Sequence, residues 1–169
     1  MIREARPGIP AHMHTGIDIR RPSDNYENEP VFPAARGLVV SFREDGPFAQ
    51  IILEHVTAEG DTLWTVYEHV SGIGVRINEV VIPQQPIARF MSEDELNRYG
   101  RHFDHLHFEI MKSRPIPVKP GKDLSFRRFR TYGLHCGSID ELQGHYIDPL
   151  RFLEDRLRCG NVPRLDRGP

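Results

Sequence analysis

Asp104-His105-Leu106-His107-Phe108-Glu109-Ile110 alternates between ionisable and apolar side chains. In an extended strand, successive side chains face opposite ways. Leu106, Phe108 and Ile110 then share a core face, and His105, His107 and Glu109 share the other. An H-x-H pair is how a sheet presents two ring nitrogens to one small volume. Neighbouring segments follow the same pattern. Gly37–Phe42, Phe48–Val56 and Thr62–Val70 are rich in β-branched and aromatic residues. Turn chemistry separates them at Glu44-Asp45-Gly46-Pro47 and around Gly60. Shorter strands are expected at Val75–Val81 and Pro86–Phe90. Such a meander predicts a mainly β, antiparallel fold.

A few short helices interrupt it. Ser92 with Glu95 forms a capping-box pattern that Gly100 terminates, and Ser138 with Glu141 repeats it up to Gly144. Asp148-Pro149 opens a third helix, with Leu150, Leu153 and Leu157 on one face and Gly160 as its stop. Residues 21–35, with Pro22, Pro30 and Pro33, read as a loop. Residues 1–160 are expected to form a single domain, with 113–147 inserted on the same core and 161–169 as a tail. The basic, aromatic run Phe126–Arg130 reads as a solvated loop in preference to a grip for an anionic polymer.

The chain has 169 residues, 38% apolar and 27% charged, an ordinary balance for one globular domain. A formal charge of -2 gives no case for nucleic-acid binding. No apolar run is long enough to span a membrane, and the opening Met1–Arg6 has no hydrophobic stretch after its charges. Cys136 and Cys159 could form one bridge or stay thiols; they show no C-x-x-C spacing.

Histidine is the informative residue type, with nine in the chain. His14 and Asp18 are four apart, and Gly16 between them leaves room for a metal, a substrate or a neighbouring backbone. Tyr67 and His69 fall on one face of an extended strand and add a phenol and a further imidazole. Each segment alone reads as ordinary surface chemistry. Together they match a catalytic zinc, which takes about three protein ligands and keeps one position open. His14, Asp18 and one member of the His105/His107 pair would supply the ligands; the spacing does not say which. His12 and His102 are weaker candidates for a supporting position.

In this order, H-x-G-x-D-I at residues 14–19, Y-x-H at 67–69 and H-L-H-F-E-I at 105–110 resemble the lysostaphin-like zinc metallopeptidases, peptidase family M23. The resemblance implies an antiparallel β sandwich or barrel-like hybrid around a central groove. It implies zinc ligands His14, Asp18 and His107, with His69 and His105 as the catalytic histidines outside the ligand set. Tyr67 would orient His69 or touch substrate. The implied activity is hydrolysis of peptide bonds in bacterial peptidoglycan, stem or cross-link, by metal-activated water. The implied location is periplasmic or secreted, with the cytoplasm as the alternative. Ser92–Asp104 departs from the family's usual approach to H-L-H and would form one wall of the groove. The principal rival is an inactive relative that binds peptidoglycan or a partner. A biotinyl-type carrier with Lys112 as acceptor fits poorly, because such a carrier needs no histidine cluster. A purely structural zinc site would be closed and Cys-rich.

Overall fold

The computed structural model describes residues 2–5, 11–44, 46–117, 129–130 and 136–159. The first strands are β1 (Ile2–Arg3), β2 (His12–Met13), β3 (Ile17–Arg20) and β4 (Pro30–Val31). The meander comprises β5 (Gly37–Arg43), β6 (Gln50–Val56), β7 (Thr62–Glu68), β8 (Val70–Ser71), β9 (Val80–Val81) and β10 (Ala88–Phe90). Helix α1 (Glu93–Tyr99) precedes β11 (His105–Met111). The chain continues through β12 (Ile116–Pro117), β13 (Phe129–Arg130), α2 (Ile139–His145), β14 (Tyr146–Ile147) and α3 (Pro149–Cys159).

A seven-stranded sheet runs β14-β11-β7-β6-β5-β9, with β3 also paired to β11, and its strand pairs are antiparallel. One edge of β11 is shared: β3 takes residues 105–108 and β14 takes 110–111. A three-stranded sheet, β4-β10-β8, lies beside it, and two short hairpin-like pairs, β1-β2 and β12-β13, complete the strands. The fold is mainly antiparallel β with short helices, as the alternation predicts.

Both faces of the main sheet are covered. Ile17, Phe108, Tyr67, Ile51 and Phe42 form one cross-strand row within the larger apolar cluster. On the opposite face, Val66, Ile52, Trp64 and Met111 pack with Met13, Cys136 and Tyr146. The sheet therefore loses the polar, solvated face that a half-exposed antiparallel sheet keeps. The histidine-bearing face becomes interior wherever the second cluster covers it.

Local signals are reproduced closely where they depend only on local chemistry. Ser92 and Ser138 each accept from the backbone three residues on, and Glu95 and Glu141 return the bond. Asp148 accepts from the N–H groups of Leu150 and Arg151. Helix α2 runs one residue past Gly144.

Tertiary packing overrides three expectations. His69 takes φ 64° and breaks the strand expected over 62–70 into β7 and β8. The strand expected over 75–81 shrinks to Val80–Val81, because Asn78 is left-handed at φ 66° and Glu79 caps the Arg76 N–H in a turn. In α3, Leu150 and Leu153 are 56% and 39% exposed, and Phe152 packs on the core instead. At the end of the span read as an insertion, β14 joins the main sheet, and Phe129 packs on the second cluster with its N–H donated to Ser41 Oγ. Residues 126–128, Gly160 and the expected tail lie outside the described residues, as do the side chains of Leu157 and Cys159. Cys136 is a buried free thiol.

Among the described glycines, Gly16 admits the closest approach of a neighbouring backbone. A Cβ at that position would lie 2.1 Å from the Phe108 carbonyl oxygen and 2.8 Å from its carbon. The room left by Gly16 is thus filled by the backbone of β11. Gly16→Ala should destabilise the protein by about 1–3 kcal/mol through forced displacement of backbone. Chemical denaturation would measure this, and an unchanged midpoint would contradict the packing.

Candidate metal centre

Three ring and carboxylate atoms meet where β3 pairs with β11. Asp18 is directly opposite His107, and Arg20 is directly opposite His105, so all four side chains share one face. His14, in the loop between β2 and β3, leans onto the same place. His14 Nε2 is 3.0 Å from Asp18 Oδ1 and 3.0 Å from His107 Nδ1, and His107 Nδ1 is 3.1 Å from Asp18 Oδ1. This trio is the group of His, Cys, Asp and Glu side chains found close enough to hold an ion among the described residues.

Zinc fits the trio on geometry and chemistry. Donors about 2.0–2.1 Å from a tetrahedral zinc lie about 3.3 Å apart, close to the spacings seen here. Two imidazoles and a carboxylate are suitable ligands for a borderline-soft ion. Charge points the same way. Burial disfavours a charged His107 ring, but the Asp18 and Glu109 carboxylates outweigh it and push its pKa up to about 10. Burial likewise works against an ionised Asp18, yet His107 and His14 hold its carboxyl well below the usual range. The cluster therefore demands a positive charge, met by a proton on His107 when no metal is bound.

The other two histidines stand beside this trio without joining it. His105 is partly buried, with Nε2 3.5 Å from Asp18 Oδ1. Burial pushes its pKa down, and Asp18 opposes this only in part. The His69 ring meets that of His105 edge-on, with centroids 4.9 Å apart, and lies 6.2 Å from the ring of His107. Its Nδ1 donates to the Pro47 carbonyl at 2.6 Å, so only Nε2 is left for other work. Burial lowers the His69 pKa to about 4, which keeps the ring neutral at neutral pH. Its left-handed backbone is what turns it toward His105 at the end of β7.

Tyr67 does not belong to the group. It is opposite Phe108, on the core face, with ring centroids 5.3 Å apart. Its hydroxyl accepts from the Ala34 N–H at 2.8 Å and sits 3.3 Å from Thr65 Oγ1. The expectation that Tyr67 and His69 share a face fails because His69 sits on the kink. His12 lies in β2 opposite Arg3, and His102 is exposed and stacked on Phe103 at 4.0 Å.

Arg3 and Glu68 were not singled out by sequence reasoning, and Phe103 lies on the stretch expected to form a wall. Arg3 Nη2 donates to Asp18 Oδ2 at 2.9 Å, leaving Oδ1 to the imidazoles. Phe103 packs at 5.0 Å on His69 and at 5.5 Å on Phe48, so the turn after α1 does wall this side of the site. That turn is braced where Arg21 donates to Asp104 Oδ1 at 2.8 Å and to the Met91 carbonyl at 2.7 Å. Glu68 is the cross-strand partner of both His107 and Gln50. Only the register, which a single strand's alternation does not give, could have found it.

Burial raises the Glu68 pKa to about 7, and the nearby Glu109 carboxylate adds to the rise. A folded-state pKa above the unfolded value makes a contribution to stability that is full below pH 4.5 and is lost as pH rises through 7. In the metal-free protein, Glu68→Gln should therefore leave thermal stability near wild type at pH 4.5. It should raise the melting temperature by about 5 °C at pH 8. A difference that does not vary with pH, in melts followed by circular dichroism, would contradict the assignment.

Comparison with known proteins agrees with this geometry. The model of peptidase family M23 matches residues 12–120, more than half of the chain and the whole span from His14 to His107. No curated protein matches the sequence.

Proposed function

The chain belongs to peptidase family M23, a family of metallopeptidases, and on that premise we propose that it is a zinc metalloendopeptidase of bacterial peptidoglycan. The observation that carries the reading is the convergence of His14, Asp18 and His107 within hydrogen-bonding distance of one another, with two neutral imidazoles alongside. His14 Nε2, Asp18 Oδ1 and His107 Nδ1 would hold the ion. Bound zinc supplies a Lewis acid and a water acidic enough to act as a nucleophile near neutral pH.

The remaining chemistry belongs to the protein. His105, kept neutral by burial, has Nε2 aimed at the cluster and takes the proton of the attacking water. It returns that proton to the amine that leaves. His69 offers only Nε2, because Nδ1–H is committed to Pro47. Burial leaves that nitrogen without a proton at neutral pH. His69 thus offers Nε2 as a hydrogen-bond acceptor beside His105. The rings of Phe48 and Phe103 shield His69 on one side. Residues 1–160 act as one catalytic domain, and the substrate places the protein in the periplasm or outside the cell.

Zinc should bind at about one ion per chain in wild type and fall sharply in His14→Ala and Asp18→Ala. His105→Ala should retain zinc and lose about 100-fold or more in turnover on purified peptidoglycan. Metal analysis with release of soluble peptide would check both. Equal product release by wild type and His107→Ala would instead favour a binding protein that does not cleave.

A further inference from the structure

The buried carboxylate of Glu109 sits directly behind the metal centre. Glu109 is 1% exposed and follows His107 by two residues, on the same face of β11. Its Oε1 lies 3.0 Å from His107 Nε2, the ring nitrogen that points away from Asp18 and His14. The same oxygen accepts from the hydroxyl of Thr15, itself buried. Oε2 has no hydrogen-bond partner among the described residues.

Each feature has a physical reason. A ligating imidazole usually donates its second N–H to a carboxylate or carbonyl, which fixes the tautomer and the ring plane. With Nε2–H given to Glu109, Nδ1, the atom facing His14 and Asp18, is the nitrogen left to meet a metal. A carboxylate this deeply buried is costly unless a positive charge is near. A metal on His107 Nδ1 would place that charge one ring away from Glu109. Thr15 adds a second connection, since it adjoins His14 in sequence. Gly16 brings that loop against β11, where an added Cβ would come within 3.0 Å of Glu109 Cγ.

We propose that Glu109, clamped by Thr15, is the positioning residue of the centre, coupling the loop that carries His14 to the strand that carries His107. It touches neither substrate nor metal; it acts by fixing the tautomer and aim of His107. The inference rests on the reading of His14, Asp18 and His107 as metal ligands, but its test does not use turnover.

Glu109→Gln preserves volume and removes the charge, and Thr15→Val preserves shape and removes the donor. Zinc affinity, measured by competition with a chromophoric chelator, should fall about 10–100-fold in Glu109→Gln. It should fall about tenfold in Thr15→Val. In ¹H–¹⁵N spectra of the imidazoles, the downfield Nε2–H signal of His107 should move upfield in Glu109→Gln, with or without zinc. Wild-type zinc affinity in both folded variants, with an unchanged His107 signal, would overturn the proposal. If Glu109→Gln does not fold, Thr15→Val decides alone on the same affinity and signal. A wild-type protein that binds no zinc would instead overturn the metallopeptidase reading, and the Nε2–H signal would still test the contact with Glu109.

Discussion

The pairing of Asp18 with His107 across β3 and β11 is the constraint on which the site depends. The two residues are 89 positions apart, so nothing local brings them together. Antiparallel register does. A slip of one residue would turn Asp18 to the core face, and a slip of two would place it opposite His105 or Glu109. Gly16 and Ile17 hold the register from both sides. Gly16 admits the Phe108 backbone at a distance no side chain allows, and Ile17 packs into the core opposite Phe108. The proposed ligands thus inherit their precision from the register of two paired strands.

That burial sets the electrostatics. Asp18, His107, Glu68, Gln50 and Arg43 form a continuous row across five strands, at the rim of an otherwise apolar face. The next row inward, Glu109, Val66, Ile52 and Ser41, is buried, and Glu109 is its one ionisable member. Three carboxylates thus surround one imidazole. In the free protein, His107 keeps a proton far above its ordinary range, while Glu68 is held near the protonated form. A dication would relieve the same imbalance, so the features that make the free site unfavourable are the ones that would favour metal.

The part of this that can be read from sequence is the part carried by short-range rules. Alternation over 104–110 separates Leu106, Phe108 and Ile110 from His105, His107 and Glu109, and β11 obeys it. Capping boxes at Ser92 and Ser138 are equally local, because donor and acceptor lie three residues apart. What escapes is anything decided by a second strand. Glu68 gains meaning only as the neighbour of His107, and Glu109 only when the second apolar cluster excludes water from its side of the sheet. Alternation misleads at Tyr67 and His69, because the left-handed backbone at His69 ends the two-residue repeat. Leu150 and Leu153 mislead in the same way: helical spacing names a stripe, but Phe152 is the residue that reaches the core.

The proposed ligands and the proposed proton-handling histidines are held by different means. His107 and Asp18 lie within paired strands, and His14 is pressed against them by Gly16 and Thr15. His69 sits outside the ladder, in a conformation that costs an L-residue about 1–2 kcal/mol. Its orientation comes from the Pro47 carbonyl and from the rings of Phe48 and Phe103. Those contacts belong to the turn before β6 and the turn after α1, and the second turn is tied to the end of β3 through Arg21 and Asp104.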